Sequence, residues 1–262
     1  MFYVTARLTG GIGNRLFQIG AMLGYAEKYG HTAVFVKSQM SENPHDPVDI
    51  CSLFKTIPLI DDIAGLTWEQ YYLPAADDFS FVNVPRLGNV VLHGCYQSEL
   101  YFPSSGVTWD VTDVVARPNT VFLHVRRGDY LHPACAHHKV DLMTYYRNAL
   151  SLYGRECYVY VFSDDILWCK QNLPAELAGV VAADKWIWDS GGGGVVESIL
   201  RMASCEAGGI CANSSFSWWG AYFGFRRHGQ KAIYCFPSCW GYPPLPPAKD
   251  IWPAWGVKIP TE

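Results

Sequence analysis

Four short polar clusters interrupt an otherwise apolar chain, and each has a composition that can do chemistry. Gly10-Gly11-Ile12-Gly13-Asn14-Arg15 opens a run with apolar residues at helical spacing, so its backbone N–H groups and the positive helix end can face a phosphate or another substrate group. A plain tight turn uses the same glycines. His124-Val125-Arg126-Arg127-Gly128-Asp129-Tyr130 leaves an apolar run: its adjacent arginines point in different directions, so one can face a diphosphate while the other pairs with Asp129. A salt bridge at a sheet edge is the plainer use of the same residues. Ser163-Asp164-Asp165 can hold a divalent ion, accept from the N–H groups of a guanine, or cap a helix. Asn213-Ser214-Ser215-Phe216-Ser217-Trp218-Trp219-Gly220 sets hydroxyls and N–H groups at a helix start, again suited to phosphate, or forms an ordinary capped helix packed by two tryptophans.

The elements that must carry these clusters are legible from periodicity. Phe2–Leu8 reads as a strand, Arg15–Tyr29 as a helix stopped by Gly30, and Thr32–Val36 as the next strand, the opening of a nucleotide-type α/β domain. Between Ser38 and Pro85 the pattern is poor, and Val90–Gly94 is a further short strand. Beyond it, strands at Thr120–Val125, Cys157–Phe162, Gly179–Ala183, Gly209–Asn213 and Lys231–Phe236 alternate with helices at Asp141–Tyr153, Ile166–Leu173, Val195–Ala207 and Ser217–Phe225. Such alternation predicts a parallel sheet covered on both faces. Three of the four clusters follow its strands, and open parallel sheets bind ligands at the carboxyl ends of their strands. The run Gly191–Gly194 is a loop before a helix, and Pro243–Pro247 a stiff connector.

Composition narrows the alternatives. The chain has 262 residues, half of them hydrophobic, with a formal charge of -4 and no Lys/Arg block, which argues against a nucleic-acid or anionic-membrane surface. No stretch approaches the roughly 20 apolar residues of a membrane span, and the start lacks a signal sequence, so a cytoplasmic setting is expected. Nine irregularly spaced cysteines without a CxxC pair suit free thiols. Cys135, His137 and His138 lack a second ligand pair at zinc-like spacing, and no metal site is expected. A dinucleotide reading of the glycine loop fails on a missing third glycine and on Lys37 and Ser38, where an acidic residue belongs. The Arg127-Gly128-Asp129 string and the Asn213-Ser214-Ser215 sequon both sit at strand exits, where adhesion or glycosylation is out of place.

Together, and in this order, the glycine loop, His-Val-Arg-Arg-Gly-Asp-Tyr, Phe-Ser-Asp-Asp and Asn-Ser-Ser-Phe-Ser-Trp-Trp-Gly-Ala resemble family 11 glycosyltransferases, the α-1,2-fucosyltransferases. Gly94-Cys95-Tyr96-Gln97-Ser98-Glu99 is similar to another segment of that family. The resemblance implies a GT-B-like α/β fold of two Rossmann-like halves with parallel sheets, the first smaller and less regular. Its expected domains are an acceptor-side domain over 1–112, a GDP-fucose-binding domain over 113–245, and a segment 246–262 crossing back toward the first. It also implies inverting transfer of L-fucose from GDP-β-L-fucose to a sugar hydroxyl, expected to be O2 of a β-galactoside and to give an α-1,2-fucoside, without metal or cofactor. Residues matching Arg126, His124 and Asp164 contact the β-phosphate and guanosine in related enzymes, those matching Ser214 and Ser215 lie near the phosphates, and Asn14 matches a loop asparagine near the reacting centre. Gly11, Gly13, Arg15, Asp165, Asn213 and Phe216 complete the expected donor contacts, with Gln97 and Glu99 on the acceptor side. Two departures stand out: Arg15 where the family usually has glutamine, and the glycine run at 191–194.

In the mechanism this implies, Arg126 and loop N–H groups stabilise the departing diphosphate while the acceptor hydroxyl attacks from the opposite side. Asp129, His93 and Glu99 are chemically able to take the proton. The rival readings are a metal-dependent transferase working through Asp164 and Asp165, a non-catalytic carbohydrate-binding module, and, more distantly, a dehydrogenase.

Overall fold

The structure is a computed structural model that describes residues 1–40, 48–61, 65–110 and 115–262. It divides into two α/β units, one formed by Met1–Thr112 with Pro246–Pro253, the other by Asp113–Leu245 with Ala254–Glu262. The expected boundary at 112/113 lies outside the described residues.

In the first unit, β1 (Tyr3–Ala6) leads through the glycine loop into α1 (Ile12–Tyr29), which Gly30 stops in the left-handed conformation. The expected strand at 32–36 is split. β2 (Thr32–Ala33) pairs with β1, whereas β3 (Phe35–Val36) turns away; a four-residue helix α2 (Ile50–Leu53) follows, and β3 pairs with β4 (Leu59–Ile60). β5 (Trp68–Tyr72) and β6 (Asn89–His93) complete a parallel sheet of order β2-β1-β6-β5. The strand β5 has no place among the sequence expectations, because an edge strand of Trp, Glu, Gln and Tyr carries no apolar alternation. From the late segment, Lys249 and Asp250 both donate their N–H to Phe79 O, and the Asp250 carboxylate accepts from Phe81 N–H at 2.7 Å.

The second unit starts with β7 (Thr120–Val125), buried at every residue, then α3 (Met143–Leu150), β8 (Tyr158–Ser163), α4 (Ile166–Glu176) and β9 (Trp186–Trp188). It continues with α5 (Gly194–Ala203), β10 (Gly208–Ile210), α6 (Ser215–His228), β11 (Ile233–Pro237) and β12 (Val257–Ile259). One expectation is corrected here: 179–183 is not a strand. Val180 and Val181 donate to Leu177 O in the turn that closes α4, and Leu177 and Val181 are core residues. A short apolar run fits a buried helix end as well as a strand, and the strand is the aromatic Trp186–Trp188 instead.

All pairings in this sheet are parallel, in the order β12-β11-β10-β7-β8-β9. The chain therefore winds outward from β7 through β8 to β9, returns to the other side of β7 at β10, and winds outward again. The reversal lies between β7 and β10, the place where doubly wound sheets open a crevice at their carboxyl ends. Two α/β units with wholly parallel sheets, the first smaller and less regular, are the GT-B-like organisation expected. Among the described residues no helix is long and apolar enough to cross a membrane, and all nine cysteines are unpaired.

Candidate active site

In the second unit the ends of β7, β8 and β10 are adjacent, so three of the sequence clusters meet by topology alone. Strand β7 delivers Arg126, whose Nη1 lies 2.9 Å from Asp164 Oδ2 and whose Nη2 lies 2.7 Å from Asp129 Oδ1. Its Nε–H and the second hydrogen on each terminal nitrogen remain available, on a side chain one-third exposed. Asp164, at the exit of β8, also accepts from Arg127 N–H at 2.9 Å. Gly128 makes room for this carboxylate: a Cβ there would stand 2.4 Å from Asp164 Oδ2.

The sequence reading of the two arginines needs correcting. Arg126, the expected phosphate contact, is the one that pairs with Asp129. Arg127 pairs instead with Asp165, Nε to Oδ2 3.1 Å, and lies 3.7 Å from the centre of the Trp168 ring. Asp165 also caps α4 by accepting from Trp168 N–H at 3.2 Å, so it acts as the helix cap and as the partner that holds Arg127 on the tryptophan. Trp168 was missed; it lies one turn into the helix that Asp165 caps, and that spacing was the available signal.

His124, near the end of β7, is buried. Burial, reinforced by Arg126, pushes its pKa down from 6.5 to about 3, so the imidazole is neutral at pH 7. Its Nδ1 has no hydrogen-bond partner in the structure, and its ring lies 5.5 Å from that of Phe216. On the other side of the crevice Ser214 is the N-cap of α6, accepting from Phe216 N–H, and Ser215 and Phe216 form the first turn. That turn carries no acidic residue, whereas Arg226, Arg227 and His228 occupy the last, so the positive end of the helix is unopposed where an anion would sit. Asn213 serves the scaffold: its Nδ2 donates to His138 O at 2.9 Å and to Trp240 O at 3.0 Å.

Tyr130, quoted in the motif but given no role, ties the two sides together. Its hydroxyl donates to Asn213 O at 3.1 Å, its ring stacks on His138 at 4.9 Å, and the Arg126 guanidinium stands 5.6 Å from its centre. Burial raises the Tyr130 pKa to about 12, so the hydroxyl remains a donor.

The first unit gathers a different set. Gly11 is the N-cap of α1 without a side chain to offer, and its carbonyl accepts from the N–H groups of Asn14 and Arg15; Gly13 is buried in the first turn. The Asn14 side-chain carbonyl accepts from Gln97 Nε2 at 3.1 Å. Gln18, one helical turn beyond Asn14, donates to Thr9 Oγ1 and Gly94 O and accepts from Thr9 N–H, which joins the ends of β1 and β6. A buried glutamine on the apolar face of α1 was the signal for it. Arg15 is buried and donates Nε–H to Gly10 O at 2.9 Å, so it pins the loop from within rather than standing as a second surface cation. Glu99 begins a short 3₁₀ turn capped by Ser98.

Residues 107–241 match the family model Glycosyl transferase family 11. The chain belongs to this family. Arg126, Asp164 and Ser214 of this family 11 glycosyltransferase fall inside the matched segment, and Asn14 and Gln97 outside it. An α-1,2-colitosyltransferase of Escherichia coli is 27% identical over 92% of this chain and 93% of its own length. The O-antigen biosynthesis glycosyltransferase WbnK of Escherichia coli is 27% identical over 62% of this chain and 61% of its own. Among solved structures, the fucosyltransferase NodZ from Bradyrhizobium aligns over 84% of this chain and 92% of its own at 15% identity and a TM-score of 0.48. POFUT1 in complex with GDP aligns over 88% and 97% at 11% identity and a TM-score of 0.49.

Proposed function

We propose that this family 11 glycosyltransferase moves L-fucose from GDP-β-L-fucose to O2 of a β-galactoside, with inversion, giving an α-1,2-fucoside. The supporting observation is the convergence of Arg126, Asp164, His124 and the Ser214 helix start at the crossover between β7 and β10. A guanidinium with three donors to spare and an unopposed helix end suit a diphosphate, and both strengthen as negative charge grows on the departing phosphate. A buried neutral histidine with an unpartnered nitrogen beside Phe216 suits an uncharged, flat guanosine edge. On this reading the second unit holds the donor through His124, Arg126, Asp164, Ser214, Ser215 and Phe216. The first supplies the acceptor side through Asn14, Gln97 and Glu99.

The donor phosphate competes with Asp129 for Arg126. Asp129 is the more exposed of the two carboxylates on that guanidinium, and exposed pairs are worth at most about 1 kcal/mol. Binding then exchanges one anion for another and leaves the Asp164 contact to orient the arginine. A freed Asp129 carboxylate is a proton acceptor in the right chemical class. Transfer proceeds without a metal ion: Asp164 and Asp165 already spend their charge on Arg126 and Arg127, so guanidinium groups occupy the role a divalent cation would fill.

A second donor is favoured by the likeness to the α-1,2-colitosyltransferase. Colitose is L-fucose without its 3-hydroxyl, so the two donors differ by one oxygen. The deciding experiment incubates the purified chain with GDP-fucose or GDP-colitose and methyl β-galactoside, with and without EDTA, and follows GDP release and the anomeric NMR signal. A new α-fucoside at O2 that forms despite EDTA is expected. Transfer from GDP-colitose alone moves the assignment to that sugar, and loss of transfer with EDTA removes the metal-free mechanism.

A further inference from the structure

Tyr72 is the last residue of the edge strand β5 and is 66% exposed, yet its ring does not turn freely. It stacks on His93, its partner in register on β6, with centroids 4.3 Å apart and an interplanar angle of 18°. Gln70 lies two residues earlier on β5 and so shares a face with Tyr72. His93 Nε2 is 2.6 Å from Gln70 Oε1, and a carbonyl oxygen only accepts, so Nε2 carries the proton and the imidazole plane is fixed. Burial beside Arg7 also lowers the His93 pKa, which keeps the ring neutral. The result is a three-residue assembly in which one face of an exposed aromatic ring is braced and the other is presented to solvent.

The assembly sits at the carboxyl end of the sheet. His93 is followed directly by Gly94, whose carbonyl accepts from Gln18, and then by Gln97, which donates to Asn14. One short stretch of chain thus carries both a residue of the ring platform and Gln97, which is expected on the acceptor side.

We propose that the Tyr72–His93 pair is the seat of the acceptor sugar, taking the apolar face of a β-galactopyranose. This rests on the reading of a β-galactoside as acceptor. The axial hydrogens on C1, C3 and C5 and the hydrogen on C4 of that sugar share one face, which packs on an aromatic ring with little loss of hydration. The 2-hydroxyl is equatorial, so it stays at the edge of the stacked ring, uncovered and available as a nucleophile. Gln97, four residues after His93 in the chain, and Asn14, to which it donates, are amide groups that could serve a sugar hydroxyl.

The test reads lactose binding by saturation-transfer NMR and, separately, GDP binding by calorimetry. Saturation is expected to be strongest on the galactose H3, H4 and H5. Tyr72→Ala is expected to weaken lactose roughly tenfold, the worth of one good aromatic contact. Tyr72→Phe retains the ring and the affinity, and Gln70→Leu, which frees the imidazole, falls between. The GDP affinity is unchanged throughout, and Leu59→Ala, another exposed apolar side chain of this unit, leaves both ligands alone. Lactose bound as well by Tyr72→Ala as by the unmodified chain, or not bound by the unmodified chain at all, overturns the proposal. Lactose bound through Tyr72 together with no affinity for GDP would leave the platform standing and remove the GDP-sugar donor instead.

Discussion

At the carboxyl end of the sheet in the second unit, two arginines and three aspartates crowd two loops: Arg126 with Asp129 and Asp164, and Arg127 with Asp165 on Trp168. At the same end of the sheet in the first unit Asn14, Gln18, Gln97 and Thr9 form an uncharged network with backbone carbonyls, and the charged groups around it stand singly: Arg15 buried against Gly10 O, Arg7 beside His93, and Asp78, whose carboxylate accepts from Cys95 N–H. Both units begin with a strand that runs into a helix through a polar loop, so topology does not separate their roles. On the proposed reading the difference in charge does. A diphosphate needs fixed cations and a helix end, whereas a neutral sugar needs donors and acceptors that do not repel each other or favour an anion.

The largest test of that contrast is Arg126→Ala. It is expected to lower kcat by two to three orders of magnitude, about 3 to 4 kcal/mol, with GDP binding weakened and the first unit untouched. Near-normal turnover would erase the distinction between the two ends. Gln97→Ala should act on the other side only, removing one hydrogen bond to Asn14 for about 1 kcal/mol, a several-fold loss in kcat/KM for the acceptor. Calorimetry with GDP separates the two, since a weaker GDP complex in Gln97→Ala would mean that the amide network serves the donor.

Acid should discriminate as well. His124 has a folded pKa near 3 against 6.5 unfolded, so below about pH 6.5 the unfolded chain takes up a proton that the native state refuses. The stability this provides is present above pH 6.5 and declines as pH falls toward 3. Thermal melts of His124→Asn should show a shallower decline over that window than the unmodified chain, and parallel curves would show that His124 titrates normally. The smallest effect is opposite in sign to what loss of an ion pair suggests. Asp129→Asn removes the competitor for Arg126 and should tighten GDP by a few-fold, within the range of an exposed pair; weaker GDP binding would instead make Asp129 a support for the arginine.

How much of this was legible from residues follows the same division. In the second unit buried parallel strands are nearly continuous apolar runs, so β7 and its polar exit could be read directly, and the convergence of three clusters followed from strand order. The pairing of Arg126 rather than Arg127 with Asp129 could not, because it depends on Trp168 and Asp165 offering Arg127 a better place. In the first unit short strands of two residues and an edge strand of polar aromatics lack the period that marks a sheet. There Tyr72, His93 and Gln70 are scattered letters until register puts them side by side. The glycine run at 191–194 looked out of place, and the backbone explains it: Gly191, Gly193 and Gly194 have φ of 72°, 83° and 77°, which other residues rarely adopt.

The interleaving of the chain bears on how this protein is made. Pro246–Pro253 belongs to the first unit, where its backbone meets Phe79 and Phe81, and the strand after it, β12, closes the sheet of the second. A ribosome releases those residues after everything before them. Neither unit can therefore finish while its own first hundred or so residues are the only ones outside the exit tunnel, and each waits on the same late stretch. Completion of the two waits on the same stretch, and a nascent chain stalled before residue 246 would carry a second sheet without its edge strand β12 and a first unit without the segment that meets Phe79 and Phe81.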